Sequence, residues 1–269
     1  MIPLFSEQGL ERLDRIVSPG LLCAFDFDGT LAPIVRDPAQ ARLSSDMVRR
    51  LDELAALAPV AIITGRSLED IQSRLSFSPD YLIGNHGIEG MPGWEQSAQA
   101  YKDMCGTWQQ QVSDALAAAD GFGSGVMLEN KRYSLSVHYR NAADPATTSA
   151  RLQQVFTQLQ PSPRIVDGKF VFNLLPPDAA DKGSALQQLI SRTGASGVIY
   201  AGDDVTDEDV FRVRRPDLLS VRVEQNPDSA AEFFLPRFDD MTQLLDELIT
   251  RLRAFGATNP KRWKPAANH

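Results

Sequence analysis

Two aspartates that follow one apolar segment carry the strongest chemical signal in this chain. Asp26 and Asp28 stand directly after Leu21–Phe25, in the sequence Asp-Phe-Asp-Gly-Thr-Leu. An apolar run closed by a Gly-Thr break is typical of a buried parallel strand, and open α/β sheets bind ligands at the carboxyl ends of such strands. Because buried carboxylates are rare unless paired or metal-bound, the pattern predicts a carboxylate nucleophile at Asp26 with an acid/base partner at Asp28. The alternative is a strand end followed by a simple Asp-Gly turn.

Three further segments place polar side chains at a strand end or a helix start: Thr64-Gly65-Arg66, Asp181-Lys182-Gly183 and the acidic stretch Gly202–Asp209. The hydroxyl of Thr64 and the neighbouring N–H groups could hold a phosphoryl oxygen at a helix N-terminus, and Lys182 could supply a fixed cation. Taken singly, each segment has a simpler interpretation, namely a helix cap, a solvated lysine and a capped, acid-rich helix start. The acidic stretch does not match a calcium-binding loop, since the spacing and the required glycine are absent.

Taken together, these segments point to one edge of a parallel sheet. Four aspartates would meet there: Asp26, Asp28, Asp203 and Asp207. Each pair of carboxylates about 4 Å apart costs on the order of 4 kcal/mol at an effective dielectric constant of 20, and several such pairs would exceed the marginal stability of a domain. The cluster therefore needs a cation, and carboxylate and water ligands favour Mg²⁺. A metal, the ammonium of Lys182 and hydroxyl donors around a carboxylate nucleophile suit phosphoryl transfer through an aspartyl-phosphate.

Strand-like and helix-like segments alternate near both ends of the chain. Apolar runs typical of buried strands are Leu21–Phe25, Val60–Thr64, Tyr81–Gly84 and Gly197–Ala201, and segments with helical spacing are Ser45–Leu57, Lys182–Arg192 and Asp239–Arg253. This alternation predicts an α/β fold with a doubly wound, Rossmann-like parallel sheet. Ser44 or Ser45 is expected to cap the first of these helices, and Ser67, in the pattern Ser-x-x-Asp, is expected to cap a further helix.

The middle of the chain follows a different pattern. Ser134–Arg140 alternates strictly between polar and apolar side chains, which marks a sheet that is buried on one face only. Two predicted helices (Ser97–Ala119 and Ala146–Leu159) and three short predicted strands (Val126–Leu128, Arg164–Val166 and Lys169–Leu175) accompany it. We therefore predict an α+β domain at residues 97–177, inserted into a discontinuous core domain of residues 1–96 and 178–269.

The composition of the chain indicates which kinds of partner the protein is not expected to bind. The 269 residues include 27 Lys and Arg against 35 Asp and Glu, a net charge of −8, so a nucleic-acid surface is not expected. No apolar stretch approaches the roughly 18 residues of a membrane span, and early charged residues exclude a secretory signal core. Cys23 and Cys105 lie far apart, as in proteins of a reducing compartment. We expect a cytoplasmic protein that binds neither nucleic acid nor membrane.

The order of the motifs Asp-Phe-Asp-Gly-Thr-Leu, Ile-Thr-Gly-Arg, Asp-Lys-Gly and Gly-Asp-Asp-Val-Thr-Asp-Glu-Asp resembles the haloacid dehalogenase (HAD) superfamily of phosphatases. The inserted domain resembles the C2-type cap of that superfamily. Four segments resemble the trehalose-6-phosphate phosphatase family: Gly84–Gly87, Glu129–Lys131 with His138–Arg140, Lys182-Gly183 and Gly202–Glu208. The last segment is discriminating, because the sucrose-phosphate and mannosyl-phosphoglycerate phosphatases carry a G-D-S-x-N-D form instead. The resemblance covers roughly residues 20–250.

This resemblance implies a role for each matching residue. The expected catalytic residues are the nucleophile Asp26, the general acid/base Asp28, and Thr64 and Lys182, which hold the phosphoryl group. The expected Mg²⁺ ligands are Asp26, Asp28 (through its backbone carbonyl), Asp203 and Asp207. The expected substrate-binding residues are Arg66, Asn85, His86, Glu129, Lys131, Arg140 and Asn173.

Two positions of the inserted domain bear on the substrate. Glu129 and Lys131 are two residues apart and so share a strand face, which suits a pair that hydrogen-bonds sugar hydroxyls; the alternative is an exposed ion pair of little energetic value. The family carries a glutamate where this chain has Asn173, which keeps hydrogen-bonding capacity but loses the charge. Strand alternation predicts that Asn173 faces the sugar-binding side, with Phe172 and Leu174 packed away from it.

The leading hypothesis is a Mg²⁺-dependent phosphatase that releases trehalose and phosphate from trehalose 6-phosphate, with a functional link to a trehalose-6-phosphate synthase on a separate chain. The alternatives are a HAD phosphatase of another phosphorylated disaccharide or sugar acid, a phosphomutase, and a non-catalytic regulatory subunit that binds a sugar phosphate. The intact nucleophile, acid/base residue, lysine and metal-binding aspartate argue against the non-catalytic subunit.

Overall fold

Helices and strands alternate along most of the chain. The computed structural model describes residues 1–35, 37–118 and 125–256. The strands there are β1 (Ile2–Pro3), β2 (Leu21–Phe25), β3 (Val60–Ile63), β4 (Tyr81–Ile83), β5 (Met127–Asn130), β6 (Leu135–His138), β7 (Arg164–Gly168), β8 (Val171–Leu175), β9 (Gly197–Gly202), β10 (Leu218–Val223) and β11 (Phe233–Leu235). The α-helices are α1 (Glu7–Ile16), α2 (Ser45–Ala55), α3 (Leu68–Gln72), α4 (Glu95–Ala118), α5 (Pro145–Phe156), α6 (Lys182–Thr193), α7 (Glu208–Phe211) and α8 (Asp240–Gly256). None of the helices described is both long enough and apolar enough to cross a membrane.

The chain divides into two units. The core unit contains Met1–Met91 and the chain from Asp181 onward, and the inserted unit is Pro92–Ala180. The sequence predicted the insertion at residues 97–177, which lies within the second of these units.

A seven-stranded parallel sheet, in the order β1-β11-β10-β9-β2-β3-β4, forms the centre of the core unit. Phe25, the last residue of β2, pairs with Ala201 of β9 and with Ile62 of β3. The main-chain N–H of Asp26 then donates to the carbonyl of Ala201 at 2.9 Å. In this register the neighbouring strands β9, β2 and β3 end at the same edge of the sheet, which is where parallel sheets bind their ligands.

Apolar side chains cover both faces of this sheet. Leu21, Cys23 and Phe25 of β2 belong to one buried cluster, which includes residues of α1, α2 and α8. Leu22 and Ala24 belong to a second cluster, which includes residues of α6. Fully burying a leucine or phenylalanine side chain contributes about 1.5–3 kcal/mol, so both layers stabilise the inner strands. The predicted doubly wound α/β architecture is confirmed.

Local signals placed several helix starts correctly. The hydroxyl of Ser44 accepts a hydrogen bond from the N–H of Met47 at 3.1 Å, which caps α2. Ser67 caps α3 in the same way, through the N–H of Asp70 at 3.2 Å. These are the hydrogen bonds that an N-cap serine supplies to the unpaired first turn of a helix.

The sequence analysis missed α1 and the strands β1, β10 and β11. In β10, Ser220 and Arg222 interrupt an otherwise apolar run and so weaken its strand signal. Both side chains are buried because they have partners elsewhere in the core unit; the Ser220 hydroxyl, for example, accepts the N–H of Glu232 at 2.9 Å. Such partners are distant in sequence and cannot be read from a local pattern.

An antiparallel sheet in the order β5-β6-β8-β7 forms the inserted unit together with α4 and α5. Its buried cluster joins one face of the sheet to the two helices and includes Leu135, Val137, Phe172, Leu174, Trp108, Leu152 and Phe156. The alternation predicted for Ser134–Arg140 therefore holds for β6, but Arg140 lies beyond the strand, which ends at His138. Ala119, the predicted last residue of the first helix, lies outside the described residues.

Candidate active site

The ammonium of Lys182 links two aspartates at the carboxyl edge of the parallel sheet. Its Nζ lies 2.9 Å from Oδ1 of Asp26 and 2.7 Å from Oδ1 of Asp207. The side chain reaches them because Asp181 caps α6, with its Oδ1 accepting the N–H of Ser184 at 2.7 Å, and makes Lys182 the first helical residue. Only 2% of the Lys182 side chain is exposed, so the pairing takes place away from solvent and is weakly screened.

Asp207 accepts more hydrogen bonds than the other acids of the site. Oδ1 accepts from Lys182 and from the hydroxyl of Tyr200 at 2.6 Å, and Oδ2 accepts the main-chain N–H of Asp204 at 2.9 Å. These donors use most of the hydrogen-bonding capacity of a carboxylate. The arrangement suits an anchor for Lys182 better than the metal ligand that the sequence predicted. Tyr200 was missed, although it is the one residue with a side-chain hydroxyl in the apolar segment of β9.

Three carboxylates converge at this edge. Asp26, Asp203 and Asp207 each present an oxygen within 4.8 Å of the others. Burial, partly opposed by Lys182, raises the pKa of Asp26 to about 7. Burial and the charges of Asp26 and Asp207 hold the pKa of Asp203 well above its usual value. When ionised, three carboxylates beside one ammonium leave net negative charge in this buried group, and carboxylate oxygens are the ligands that Mg²⁺ prefers. The donor set therefore fits a divalent cation between Asp26 and Asp203.

Gly29 makes room for Asp203. Its φ of +77° lies in the left-handed region, and a Cβ there would come within 2.0 Å of Oδ2 of Asp203. Glycine alone satisfies both requirements. On the other side of its carboxylate, Asp203 accepts a long hydrogen bond of 3.4 Å from the Thr30 hydroxyl.

Asp28 is held by Arg66, outside this group of three carboxylates. The guanidinium Nε and Nη2 donate to the two oxygens of Asp28 at 2.6 and 2.7 Å, a bidentate pair. Nη1 of Arg66 donates to Asp70 at 2.6 Å, and Arg74 binds the same carboxylate. Burial works to raise the pKa of Asp70, but the hydrogen bonds from Arg74 and Arg66 outweigh it and hold the pKa below its usual value. Arg66, predicted to bind substrate, thus fixes the orientation of the predicted acid/base residue.

The loop after β4 packs against the end of β3. The Thr64 hydroxyl accepts the N–H of Arg66 at 3.2 Å, and its carbonyl accepts the N–H of His86 at 2.9 Å. Asn85 donates from Nδ2 to Oε2 of Glu89 at 2.6 Å and is fully buried. Asn85 and His86 both have positive φ, 47° and 60°. The structure therefore gives Asn85 a part in shaping the loop, and its predicted substrate contact stays a prediction.

Of the three predicted sugar-binding residues Glu129, Lys131 and Arg140, the first lies within a strand and the other two lie beyond strand ends. Glu129 lies in β5, and its Oε2 is 2.8 Å from Nε2 of His138 on β6. Lys131 follows the end of β5 at Asn130, so the argument from a shared strand face applies to Glu129 alone. Arg140 donates from Nη2 to the carbonyl of Lys169 at 3.3 Å, and so contacts the turn between β7 and β8.

Asn173 lies on the sheet face opposite the helices of the inserted unit. Its Oδ1 accepts the hydroxyl of Ser136 at 2.7 Å, and it is 6% exposed. Phe172 and Leu174 belong to the buried cluster on the helix side. The predicted alternation is confirmed, whereas a sugar contact through Asn173 stays a prediction.

The fold and the site together define a HAD-type protein with a C2-type cap. The sheet is doubly wound, it carries an aspartate pair, a buried lysine and an acidic loop at its carboxyl edge, and an α+β unit is inserted into the chain. The chain belongs to the trehalose-phosphatase family, whose model matches residues 24–236.

Known proteins agree with this placement. The trehalose-phosphate phosphatase of Mycobacterium marinum is 33% identical over 264 residues, covering 93% of this chain and 66% of that protein. The one from Mycobacterium tuberculosis (strain H37Rv) is 32% identical over 257 residues, covering 91% and 66%. The chain thus spans about two thirds of the length of these curated relatives.

Solved structures support the fold. The C-terminal domain of a trehalose-6-phosphate phosphatase from C. albicans has a TM-score of 0.72 at 21% identity, covering 93% of this chain and 99% of that domain. A trehalose-6-phosphate phosphatase from Aspergillus fumigatus has a TM-score of 0.62 at 24% identity, with coverage of 93% and 99%.

Replacing Tyr200 by Phe should lower the free energy of unfolding by about 1.5–3 kcal/mol, the usual value of a hydrogen bond to a charged group. The hydroxyl that is lost donates to the buried carboxylate of Asp207. Urea denaturation measures the change. Tyr81→Phe in β4 is the matched control, because the Tyr81 hydroxyl makes no hydrogen bond in the described part of the chain. Equal losses in the two variants would show that the hydrogen bond to Asp207 is not the cause.

Proposed function

We propose that this chain hydrolyses trehalose 6-phosphate to trehalose and phosphate. The proposal is supported chiefly by the buried group of Asp26, Lys182 and Asp207, which lies beside Asp203 at the carboxyl edge of the parallel sheet. The chain that carries this group belongs to the trehalose-phosphatase family. In the first step a carboxylate oxygen of Asp26 attacks phosphorus, the bond from phosphorus to the sugar oxygen breaks, and Asp28 protonates that oxygen. In the second step Asp28 takes a proton from water, the water oxygen attacks phosphorus, and phosphate leaves with Asp26 regenerated.

Lys182 prepares Asp26 for this attack. Its ammonium occupies Oδ1, while in the described part of the chain Oδ2 accepts no hydrogen bond. Burial alone would lower the pKa of Lys182, but Asp207 and Asp26 outweigh burial and hold it above its usual value. The lysine is therefore a permanent cation at neutral pH. It favours the ionised nucleophile and leaves one oxygen for phosphorus. Thr64, the residue that follows β3, would donate its hydroxyl to a phosphoryl oxygen.

We assign the cation site to the carboxylates of Asp26 and Asp203, with the carbonyl of Asp28 as the further ligand that the family resemblance implies. Mg²⁺ bound there would neutralise charge on the phosphoryl oxygens. Asp207, whose carboxylate already accepts three hydrogen bonds, serves as the anchor of Lys182. This division differs from the sequence-based prediction, which counted Asp207 among the ligands.

Arg66 orients Asp28 for proton transfer. A bidentate pair fixes the plane of the carboxylate as well as its position, and the chain of contacts through Asp70 to Arg74 fixes the guanidinium in turn. Accurate placement matters here because general acid–base catalysis contributes typically about 10²–10⁴ in rate. The proposal makes Arg66 a positioning residue for proton transfer.

The inserted unit is proposed to select the sugar. Glu129, Ser136 and Asn173 form one register row across β5, β6 and β8, on the face opposite the helices. Polar groups in such a row can hydrogen-bond sugar hydroxyls, and a site of this kind rejects ligands that leave its groups unpaired. Lys131 and Arg140, just beyond the strand ends, are candidates for further contacts with the sugar. For His86 and Asn85 of the core unit, the proposal keeps the substrate-binding role that the family resemblance implies.

The asparagine at position 173 is the reason to keep a second candidate substrate. The family glutamate would bring a charge that this chain lacks, so a different phosphorylated disaccharide or a sugar acid is the second candidate. A panel of sugar phosphates assayed with Mg²⁺ separates the candidates by kcat/KM. A non-catalytic regulatory subunit is disfavoured, because burying Asp26, Lys182 and Asp207 together is costly to maintain without a use.

The cellular setting is also part of the proposal. Cys23 and Cys105 are buried, and burial raises the pKa of both thiols, that of Cys105 to about 12. Such thiols are unreactive and suit a reducing compartment such as the cytoplasm. Glycosyl transfer to a sugar phosphate is one route to a phosphorylated disaccharide, and the proposal includes a functional link to a trehalose-6-phosphate synthase on a separate chain.

Asp26→Asn should abolish phosphate release from trehalose 6-phosphate while the protein stays folded, since Asp207 still pairs with Lys182. Excess chelator should abolish activity of the unchanged protein, and added Mg²⁺ should restore it. Phosphate release measures activity, and circular dichroism checks folding. Asp52→Asn, on the exposed side of α2, is the control. Undiminished hydrolysis by Asp26→Asn would remove the nucleophile from the mechanism, and full activity in chelator would remove the metal.

Arg66→Met should lower kcat by at least about tenfold, part of the range available to acid–base catalysis, with a smaller change in KM. Arg50→Met is the matched control, because Arg50 makes a bidentate pair with Asp246 and contacts neither Asp28 nor Asp70; its kcat should stay near that of the unchanged protein. Steady-state kinetics with trehalose 6-phosphate separate the two parameters. A higher KM at unchanged kcat would support the substrate-binding role that the sequence predicted for Arg66.

Trehalose 6-phosphate should exceed glucose 6-phosphate in kcat/KM by about 10² or more. Replacing Glu129 and Lys131 together by Ala should collapse this ratio and leave hydrolysis of a small aryl phosphate unchanged. Gln110→Ala, on the exposed side of α4, is the control in the same unit. Equal losses on the sugar and aryl substrates would assign the pair to folding or closure of the cap. An unchanged ratio would place sugar recognition elsewhere.

A further inference from the structure

Arg222 binds the main chain of the acidic loop from the neighbouring strand. Its Nη2 donates to the carbonyl of Asp203, and Nη1 donates to the carbonyl of Asp204 at 3.3 Å and to Oε1 of Glu208 at 3.2 Å. The second oxygen of Glu208 accepts the N–H of Ala230 at 2.9 Å. The Arg222 side chain is 10% exposed. One guanidinium thus joins β10, the loop after β9 and the start of α7.

The position of Arg222 follows from the sheet register. Arg222 in β10 pairs with Gly202, the last residue of β9, and Asp203 comes next in the chain. The guanidinium contacts the carbonyl side of Asp203, whereas the carboxylate of the same residue lies beside Gly29 and the other acids. Arg222 therefore holds Asp203 without neutralising its carboxylate, whose charge stays available to a cation.

The carboxylate of Asp203 has little support of its own. Asp207 accepts three close hydrogen bonds, from Lys182, Tyr200 and the N–H of Asp204. Among the described residues, the carboxylate of Asp203 accepts one long hydrogen bond, from Thr30. The direction of the Asp203 side chain must then be set chiefly through its main chain, and Arg222 is the side chain bonded to that carbonyl.

We propose that Arg222 is a positioning residue for the cation site, which keeps Asp203 aimed at Asp26 by clamping the carbonyls of Asp203 and Asp204. The inference rests on the proposed function, because it presumes a cation between the two aspartates. An arginine suits the task, since its rigid fork can serve two carbonyls and a carboxylate at once, whereas the single ammonium of a lysine serves fewer acceptors at fixed angles.

Arg12 provides a matched control. Its Nη2 donates to the carbonyls of Pro216 and Leu218 at 2.9 and 3.1 Å, and its Nε donates to Glu232 at 3.0 Å. Arg12 therefore also bridges two carbonyls and a glutamate in the core unit. It does so at the amino end of β10, whereas Arg222 acts near the carboxyl end. Replacing either arginine by Met removes the same kind of interaction, but only Arg222 touches the loop that carries Asp203.

The test compares direct Mg²⁺ binding, by isothermal titration calorimetry, in the full chain and in Arg222→Met, Arg222→Lys and Arg12→Met. Residues that hold a metal ligand in place typically change metal affinity by about 10–100-fold when replaced. The Kd for Mg²⁺ should therefore rise at least about tenfold in Arg222→Met and by less in Arg222→Lys. Arg12→Met should lower the melting temperature but leave the Kd at the value of the unchanged protein.

Hydrolysis of p-nitrophenyl phosphate as a function of Mg²⁺ concentration gives a second measurement. The Mg²⁺ concentration at half-maximal rate should shift by the same factor as the Kd, and saturating Mg²⁺ should restore most of kcat in the Arg222 variants. If Arg222→Met does not fold, Arg222→Lys alone carries the comparison with Arg12→Met.

An unchanged Kd in the folded Arg222 variants overturns the inference, and so does an equal rise in Arg12→Met. Neither measurement uses trehalose 6-phosphate, so an error in the proposed substrate leaves the test intact. If the unchanged protein binds no Mg²⁺, both the metal part of the proposed function and this inference are wrong.

Discussion

The electrostatic balance around Lys182 is the constraint on which the rest of the site depends. Three carboxylates lie within 4.8 Å of one another in a buried setting, where like charges repel by several kcal/mol per pair. The ammonium between Asp26 and Asp207 offsets part of that repulsion. Burial, together with the charges of neighbouring carboxylates, still raises the pKa values of Asp26 and Asp203. A fold that concentrates negative charge in this way is stabilised by the ligand that it is built to bind, because a cation or a cationic side chain lowers the repulsion.

Close packing at the sheet edge makes this concentration of charge possible. A Cβ at Gly29 would collide with the carboxylate of Asp203, and a Cβ at Gly202 would lie 2.2 Å from Cγ of Asp207. Both glycines therefore leave room for acids to approach the strands. The arginines that hold the acids come from neighbouring strands: Arg66, just after β3, fixes Asp28, and Arg222 of β10 binds the carbonyl of Asp203. The motifs supply the reactive groups, and distant arginines and Tyr200 fix their orientation.

Prediction from the sequence was most successful for strands and helix caps that are determined by a few consecutive residues. The bounds of β2 were predicted without error, and Ser67 was correctly identified as a helix cap. It was less successful where the outcome depends on an opposite strand or a turn. Lys131 falls outside β5 because the hairpin begins there, with its N–H bonded to the carbonyl of Ser134. The partner of Asp28 was missed as well, since Arg66 reaches it only when two strands end side by side.

The sequence by itself determined which reactive groups the site contains: Asp26 with a second aspartate two residues later, a lysine at a helix start and an acidic loop, all on an α/β sheet. These residues follow strand ends or begin helices, and the pattern of apolar residues predicts where those strands and helices lie. The tertiary structure decided how many donors surround each carboxylate, and on that difference we assign Asp203 to the proposed cation and Asp207 to the anchoring of Lys182. Asp207 accepts three hydrogen bonds from groups on α6, β9 and the acidic loop. Asp203 is held mainly through its main chain by a strand that local patterns do not reveal.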